Sequence, residues 1–487
     1  MAVDYDAIVI GSGMGGLAAA AVTSAAGLRT LVVEKNPVAG GYLSSFKRGG
    51  YLFDSTIDCI AGAGQGGLIY KLLELTGVRD NIEFLQIKPI RLSIFPDLEV
   101  TVDSSAADYE DRLKRLFPHE TVGIEALFKT MERTFRALML VMELSALTGG
   151  GFASGAASGM LRLQDISYGD FLKDYVHDGR LIAVLSDRCP FIGLPPSRVS
   201  ALTMITLIMS YFQFGAYRPG GGTQRLANVL VDGVKNKGGT VITSAAAKGI
   251  VLDGAKAAGV LLENGAGYRS KYVISGCDYY ETFHGLIGAG YGAPAESAIQ
   301  SVGVSTSFFI VYAGVAGLVS PKASSIGFFP SYDIEKTFAG AFAPGTDSIT
   351  GITIATVEDP GRAPNGGHTV VVHEMADGEG FTIERPLGAE TVLKKAGRIL
   401  SGGIENPQIV ETAMPTTLTR YTGNHAGAAF GWRQTPGYRG RLPGHGIDNL
   451  YIAGHWDDMG GGVLAAAYSG VRAANRILHK EGLSVDI

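Results

Sequence analysis

Charge is scarce in this chain. Of 487 residues only 18% are Asp, Glu, Lys or Arg, while 46% are hydrophobic. The 41 basic residues fall short of the 46 acidic ones, for a net charge of −5. With no basic tail or basic excess, nucleic acid is excluded as the main partner. Cysteine is scarcer still. Cys59, Cys189 and Cys277 are odd in number and widely scattered, so neither a disulfide framework nor a zinc spacing is available. That predicts a reducing compartment. A membrane-spanning run is also missing. A long uncharged stretch, Val199 to Tyr217, has 19 residues but includes Ser200, Thr203, Thr206, Ser210, Gln213 and Gly215. A span is normally more apolar, so this stretch predicts a helix buried in a lipophilic pocket or lying on a bilayer surface. The N-terminus has Asp4 and Asp6 where a secretory leader would be basic and then greasy. A cytoplasmic location with peripheral membrane association is therefore expected. No nucleophile elbow is evident. His368 and His373 are five apart on a strand pattern, hence on opposite faces, and no metal site is expected.

Glycine, by contrast, is abundant, with 69 residues. Its most telling use is at the front. The apolar run Ala7-Ile8-Val9-Ile10 opens into Gly11-Ser12-Gly13-Met14-Gly15-Gly16, then a small-residue helix from Leu17 to about Ala26, then a second apolar run, Thr30 to Val33, closing on Glu34. Strand, G-x-G-x-x-G, helix, strand and acid, in that order, form the dinucleotide-binding pattern. Gly11 permits the tight turn, Gly13 lets a pyrophosphate approach the backbone, and Gly16 lets the helix pack on the strand. The helix N-terminus faces the phosphates with free N–H groups. Glu34, 18 residues past Gly16, suits a ribose with a free 2′-hydroxyl. FAD and NAD both fit; NADP fits worse.

Further along, Gly40-Gly41-Tyr42 and Gly49-Gly50 predict a loop and a β-hairpin. Gly62 to Gly67 repeats the glycine spacing, but no buried strand precedes it, so it reads as a loop entering a helix at Leu68 that stops at Gly77. Strands are expected between Asn81 and Val102 around a Pro96-Asp97 turn, and helices from about 107 to 147. Thr148 to Gly159 reads as a flexible Gly/Ala/Ser connection. A helix from about Gln224 and strands near 240–243, 249–252, 259–262 and 272–275 return the chain to its first sheet. The tail supplies a second strand–glycine loop–helix: Asn449 to Ala453, then Gly454-His455-Trp456-Asp457-Asp458-Met459-Gly460-Gly461-Gly462, then a helix from Leu464. In a flavin enzyme, that helix N-terminus would stand beside the electron-rich edge of the ring.

Taken together, these stretches resemble the flavin-dependent phytoene desaturase, carotenoid isomerase and retinol saturase family, which sits in the FAD-dependent oxidoreductase superfamily with an amine-oxidase-like FAD domain. The resemblance covers nearly the whole chain. It rests on Gly11 to Glu34, on Gly40-Gly41 with Gly50 to Asp54, on Gly193 to Ser197, and on Pro219-Gly220-Gly221. It is carried further by Pro415 to Gly423, Gly427 to Trp432, Leu450 to Gly454, Gly460 to Gly462 and Ser469-Gly470. Two positions depart from the pattern: Tyr42 stands where Arg is frequent, and His455 where Asp is frequent, with Asp457 or Asp458 as the replacement carboxylate.

The resemblance implies an α/β fold: a Rossmann-type FAD-binding domain with an inserted mixed-sheet and helical substrate domain. The FAD domain would be discontinuous, 1–80, 215–278 and 415–487. The substrate domain would comprise 81–214 and 279–414, with 105–214 a helical, membrane-contacting part. FAD would be held by Gly11, Gly13, Met14, Gly15, Gly16, Glu34, Lys35, Gly40, Gly41, Tyr42, Ala247, Gly454, Gly461, Gly462 and Val463. Tyr421, Trp432 and Phe212 would shape a pocket for a lipophilic isoprenoid or polyene. His455 and Asp457 are the candidates for proton handling, and hydride exchange with the flavin would carry the carbon–carbon chemistry. Two other readings compete. One is an amine-oxidase-like flavoenzyme with a polar substrate; the other is a non-enzymatic escort protein that binds lipid tails and partners without flavin.

Overall fold

The computed structural model describes residues 3–148, 162–317, 321–340, 348–364, 366–378, 385–404, 406–442 and 444–487. Most of the expected connection at Thr148 to Gly159 lies outside the described residues.

Two seven-stranded sheets organise the chain. The first is built around Tyr5–Ile10, whose Ala7-Ile8-Val9-Ile10 run is buried on both faces, as a central parallel strand requires. Thr30–Val33 and Gly267–Ser275 flank it in parallel, Thr240–Ile242 extends one side, and Leu450–Ile452 pairs in parallel with Gly267–Ser275. An antiparallel pair, Ala247–Asp253 and Lys256–Leu262, completes it. The second sheet is mixed and runs in the order 409–413, 307–315, 368–376, 350–353, 325–328, 91–95, 98–102. Only the 325–328 and 91–95 strands pair in parallel.

The first helix, Met14–Ala25, is alanine-rich and buried along almost its whole length. Its small side chains let the last helix, Val463–Glu481, lie against it. The approach is so close that a Cβ on Gly470 would sit 3.0 Å from both Ala18 Cβ and Ala19 N, and closer still to Gly15 O. The two glycine loops therefore meet: a Cβ on Gly15 would fall 2.6 Å from Gly454 Cα.

The long uncharged run divides differently from its expected form. Its helix is Ala201–Phe214, 14 residues, and Gly215 at φ +75° turns the chain into a strand, Ala216–Pro219. That strand pairs with Ile60–Ala61 and Phe84–Gln86. At 1.5 Å per residue the helix is about 21 Å long, short of a ~30 Å hydrocarbon core. No described helix is long and apolar enough to cross a membrane. The second glycine repeat, at 62–67, folds as a loop capping the helix Leu68–Thr76.

Candidate flavin and substrate site

The parallel strands of the first sheet end together, and the residues just past their ends, Gly11, Glu34, Gly276 and Gly454, line one cavity of about 600 Å³. The crevice beyond the carboxyl ends of parallel strands is where such sheets bind ligands. Two helices start at its wall. The first helix is capped by Gly13 and the last by Gly462; neither cap residue supplies a side-chain bond, and neither first turn holds an acid. Both helix ends thus leave backbone N–H donors and a partial positive charge for an electron-rich ligand. Gly13 is open: a Cβ built there would meet nothing within 4 Å.

Glu34 is buried at the edge of this cradle. Its Oε2 accepts the Ser12 N–H at 2.9 Å and the Ser12 hydroxyl at 2.6 Å, and its Oε1 accepts both the backbone N–H (2.8 Å) and side-chain amide (3.0 Å) of Asn36. The carboxylate is held in one orientation by four donors, two of them side chains a ribose hydroxyl can replace. Ser12 and Asn36 were not foreseen as partners, although both sit in the motif or next to the acid.

All fifteen cofactor candidates named from the sequence line this one cavity, and so do His455 and Tyr421. Three candidates do not. Asp457 turns away: its Oδ2 accepts the Ser469 hydroxyl and the Arg472 guanidinium, both at 2.6 Å, and Arg472 also pairs with Asp458. These carboxylates tie the loop to the last helix, and neither lines the cavity. Trp432 is fully buried, donating from Nε1 to Trp456 O at 2.7 Å and meeting the Tyr279 and Trp456 rings edge-on. Phe212 packs on Tyr109 in the helical core, while Leu207 and Tyr211 of the same helix face the cavity; four residues apart, they share a face that Phe212 does not. Among the described residues no His, Cys, Asp and Glu grouping could hold a metal.

His455 is held neutral. The Trp456 indole N–H donates to Asn424 Oδ1 at 2.8 Å, which fixes that atom as an acceptor, so His455 Nε2 at 3.2 Å must carry a proton toward it. Burial keeps the pKa of His455 down at about 4, and does the same for His373, also on the cavity wall. Both bind protons less readily folded than unfolded, where the value is 6.5. Their contribution to stability is full above pH 6.5 and lost as pH falls toward 4. The slope is about 1.4 kcal/mol per pH unit for each. Scanning calorimetry should show the unfolding temperature dropping steadily between pH 6.5 and 4.5, and His455→Gln should make that drop shallower.

Comparison with known proteins adds a name to this geometry. Residues 14–478 match the model for flavin containing amine oxidoreductases. The chain belongs to that family. FAD is its cofactor. Prolycopene isomerase 1 of an Oncidium hybrid is 26% identical over 512 aligned residues, covering 99% of this flavoenzyme and 85% of the isomerase. The all-trans-retinol 13,14-reductase of Macaca fascicularis is 30% identical over 298 residues, 58% of this chain and 48% of the reductase. Among solved structures, an oxidoreductase from Methanosarcina mazei superimposes with TM-score 0.63 at 17% identity, covering 96% of this chain and 98% of its own. Cyclohexylamine oxidase from Brevibacterium oxydans does so with TM-score 0.61 at 14% identity, covering 98% and 100%. The last two show a shared fold. The flavoenzyme thus carries the α/β fold and the family membership that its glycine loops imply.

Proposed function

We propose that this flavoenzyme acts on a carbon–carbon bond of a lipophilic isoprenoid or polyene, by desaturation, saturation or cis–trans isomerisation. One observation carries the reading: the cavity that begins at the glycine cradle continues, without a break, between Phe191, Leu207, Phe308, Ile349, Ile352 and Met375. An apolar chamber opening directly on a flavin cradle suits a substrate with no polar group at its reacting carbons. Bound flavin supplies the two-electron chemistry, taking or giving a hydride at N5. The chain's own part is placement. Segments 1–80, 215–278 and 415–487 would hold FAD through the fifteen residues named above, and segments 81–214 and 279–414 would hold the substrate. The apolar walls would exclude water and hold the reacting carbon against the flavin cradle. His455, neutral and donating to Asn424, would brace the cradle beside Tyr42, whose ring it meets edge-on at 5.9 Å. With Asp457 bound to Arg472, no carboxylate from the tail loop is aimed at the substrate.

Incubating the FAD-loaded protein anaerobically with polyenes in liposomes tests this. Bleaching of oxidised flavin by the polyene marks desaturation, reoxidation of pre-reduced flavin marks saturation, and a changed geometric isomer without net flavin redox marks isomerisation. Turnover of an amine with peroxide release in a parallel incubation in air, and no turnover of a polyene in either condition, overturns the proposal in favour of the amine-oxidase reading.

A further inference from the structure

The second-sheet side of the cavity is not apolar throughout. Arg91 stands in its wall with only 3% of the residue exposed. Its Nε has no hydrogen-bond partner; the closest carboxylate, Asp187, is 4.0 Å away, and Nη1 reaches Ser325 Oγ only at 3.5 Å. The other charges nearby are committed. Asp187 accepts the Ser93 hydroxyl at 2.6 Å. Asp58 accepts from Arg218, Ser325 and Thr353. A second guanidinium, Arg188, is equally buried and also has an unpartnered Nη1. The Phe191 ring lies against both cations, with centroids 4.9 and 5.0 Å from Arg91 Cζ and Arg188 Cζ. His373, also in the cavity wall, has an unpartnered Nε2.

The sheet is cut away to make room for this group. His373 pairs with Gly351, Gly351 with Gly327, and Gly327 with Ser93. Two glycines side by side in neighbouring strands leave a trough across the face, and the Arg91 side chain lies in it. A Cβ on Gly327 would sit 2.7 Å from both Cζ and Nε of Arg91. Glycine weakens a strand interior relative to alanine, so this packing needs a reason beyond stability. A buried donor left without an acceptor is costly, and more so when it belongs to a charged group. Burial and the neighbouring Arg188 together lower the pKa of Arg91 to about 10, the sign of a cation short of negative charge around it.

We infer that this corner is an end-group subsite: Arg91, with His373 beside it, receives an acceptor oxygen at the terminus of an otherwise apolar substrate, and a carboxylate suits it better than a hydroxyl. The inference rests on the polyene reading above and narrows it. A pure hydrocarbon would offer the Arg91 guanidinium and the His373 imidazole no acceptor, whereas an oxygenated end does so while the chain lies along the apolar walls toward the cradle.

All-trans-retinoic acid, all-trans-retinol and the hydrocarbon axerophthene share one carbon skeleton and differ at the end group. Their affinities for the FAD-loaded protein can be read from the perturbation of flavin absorbance in detergent micelles. The expected order is acid, then alcohol, then hydrocarbon, with acid and hydrocarbon separated by about 10- to 150-fold, the worth of one charge-assisted hydrogen bond. In Arg91→Gln the acid should lose most of that advantage while the hydrocarbon binds as before. The wild-type order decides the matter even where that variant does not fold. Equal affinity for all three compounds overturns the subsite and leaves the polyene reading standing; binding of none of them overturns both.

Discussion

Gly13→Val is expected to give a folded protein that purifies without flavin, and Gly16→Val to give little folded protein at all. The two glycines stand three residues apart, Gly13 capping the first helix and Gly16 in its first turn, yet meet opposite surroundings. A Cβ on Gly16 would run into the carbonyl oxygen of Gly11 and lie 3.2 Å from Val9 Cγ1, inside the contact of helix and strand. Backbone cannot yield there without separating the first helix from the sheet, and the last helix would move with it, since Gly470 is packed on Gly15. Overpacking of this kind costs about 1–3 kcal/mol even where side chains can adjust, and here the atom struck is main chain. Gly13 has ordinary extended dihedrals, φ −65° and ψ 175°, so any residue can adopt its conformation, and its Cβ direction is open. On the proposed FAD placement, valine there would fill the space a pyrophosphate needs to reach the helix N–H groups. Losing one or more charge-assisted hydrogen bonds predicts a dissociation constant for FAD raised about 10- to 150-fold. Far-UV circular dichroism separates the two outcomes: native for Gly13→Val, with a flavin-to-protein absorbance ratio near zero, and disordered or aggregated for Gly16→Val.

The contrast also explains what could be read from the chain in advance. Local patterns were legible wherever one strand, one loop and one helix follow each other in sequence. The cradle at Gly11 to Glu34, the hairpin that turns at Gly49-Gly50, the helix ending at Gly77 and the tail loop at Gly454 to Gly462 all announce themselves through spacing and turn chemistry. What depends on strands meeting across the second sheet was not legible. Arg91, Gly327, Gly351 and His373 are separated by up to 282 positions and share a face only through strand register. His373 drew notice as a possible metal ligand and was set aside because His368 faces the other way; the structure keeps them apart, with His368 Nδ1 near the Thr356 hydroxyl and His373 in the cavity. Proximity in sequence also misled. Asp457 is two residues from His455, but the tail loop turns between them, and the arginine that captures Asp457 lies a helical turn beyond Ser469.

Arg218→Met is expected to destabilise the protein by about 3–5 kcal/mol, the cost of breaking a buried ion pair by removing one partner. Arg218 is almost wholly buried and joins distant parts of the chain. Its Nη2 meets Asp58 Oδ1 at 2.9 Å, its Nε donates to Asp58 O at 2.9 Å, and its Nη1 pairs with Glu358 and donates to Ser324 Oγ at 2.8 Å. The strand that carries it, Ala216–Pro219, leads back to the first sheet, whereas Ser324 and Glu358 flank strands of the second. Methionine fills much of the volume but leaves two carboxylates facing each other away from water. The penalty is electrostatic rather than steric, and that can be checked. Adding Asp58→Asn and Glu358→Gln to Arg218→Met removes both orphaned charges, so the triple variant should recover a large part of the loss in a guanidinium chloride titration. Equal destabilisation of the single and triple variants would assign the cost to lost packing and lost hydrogen bonds to Ser324 instead. Because Asp58 also lines the cavity, the single variant should disturb the substrate chamber as well, its freed carboxylate competing for the Arg91 donors that the end-group subsite requires.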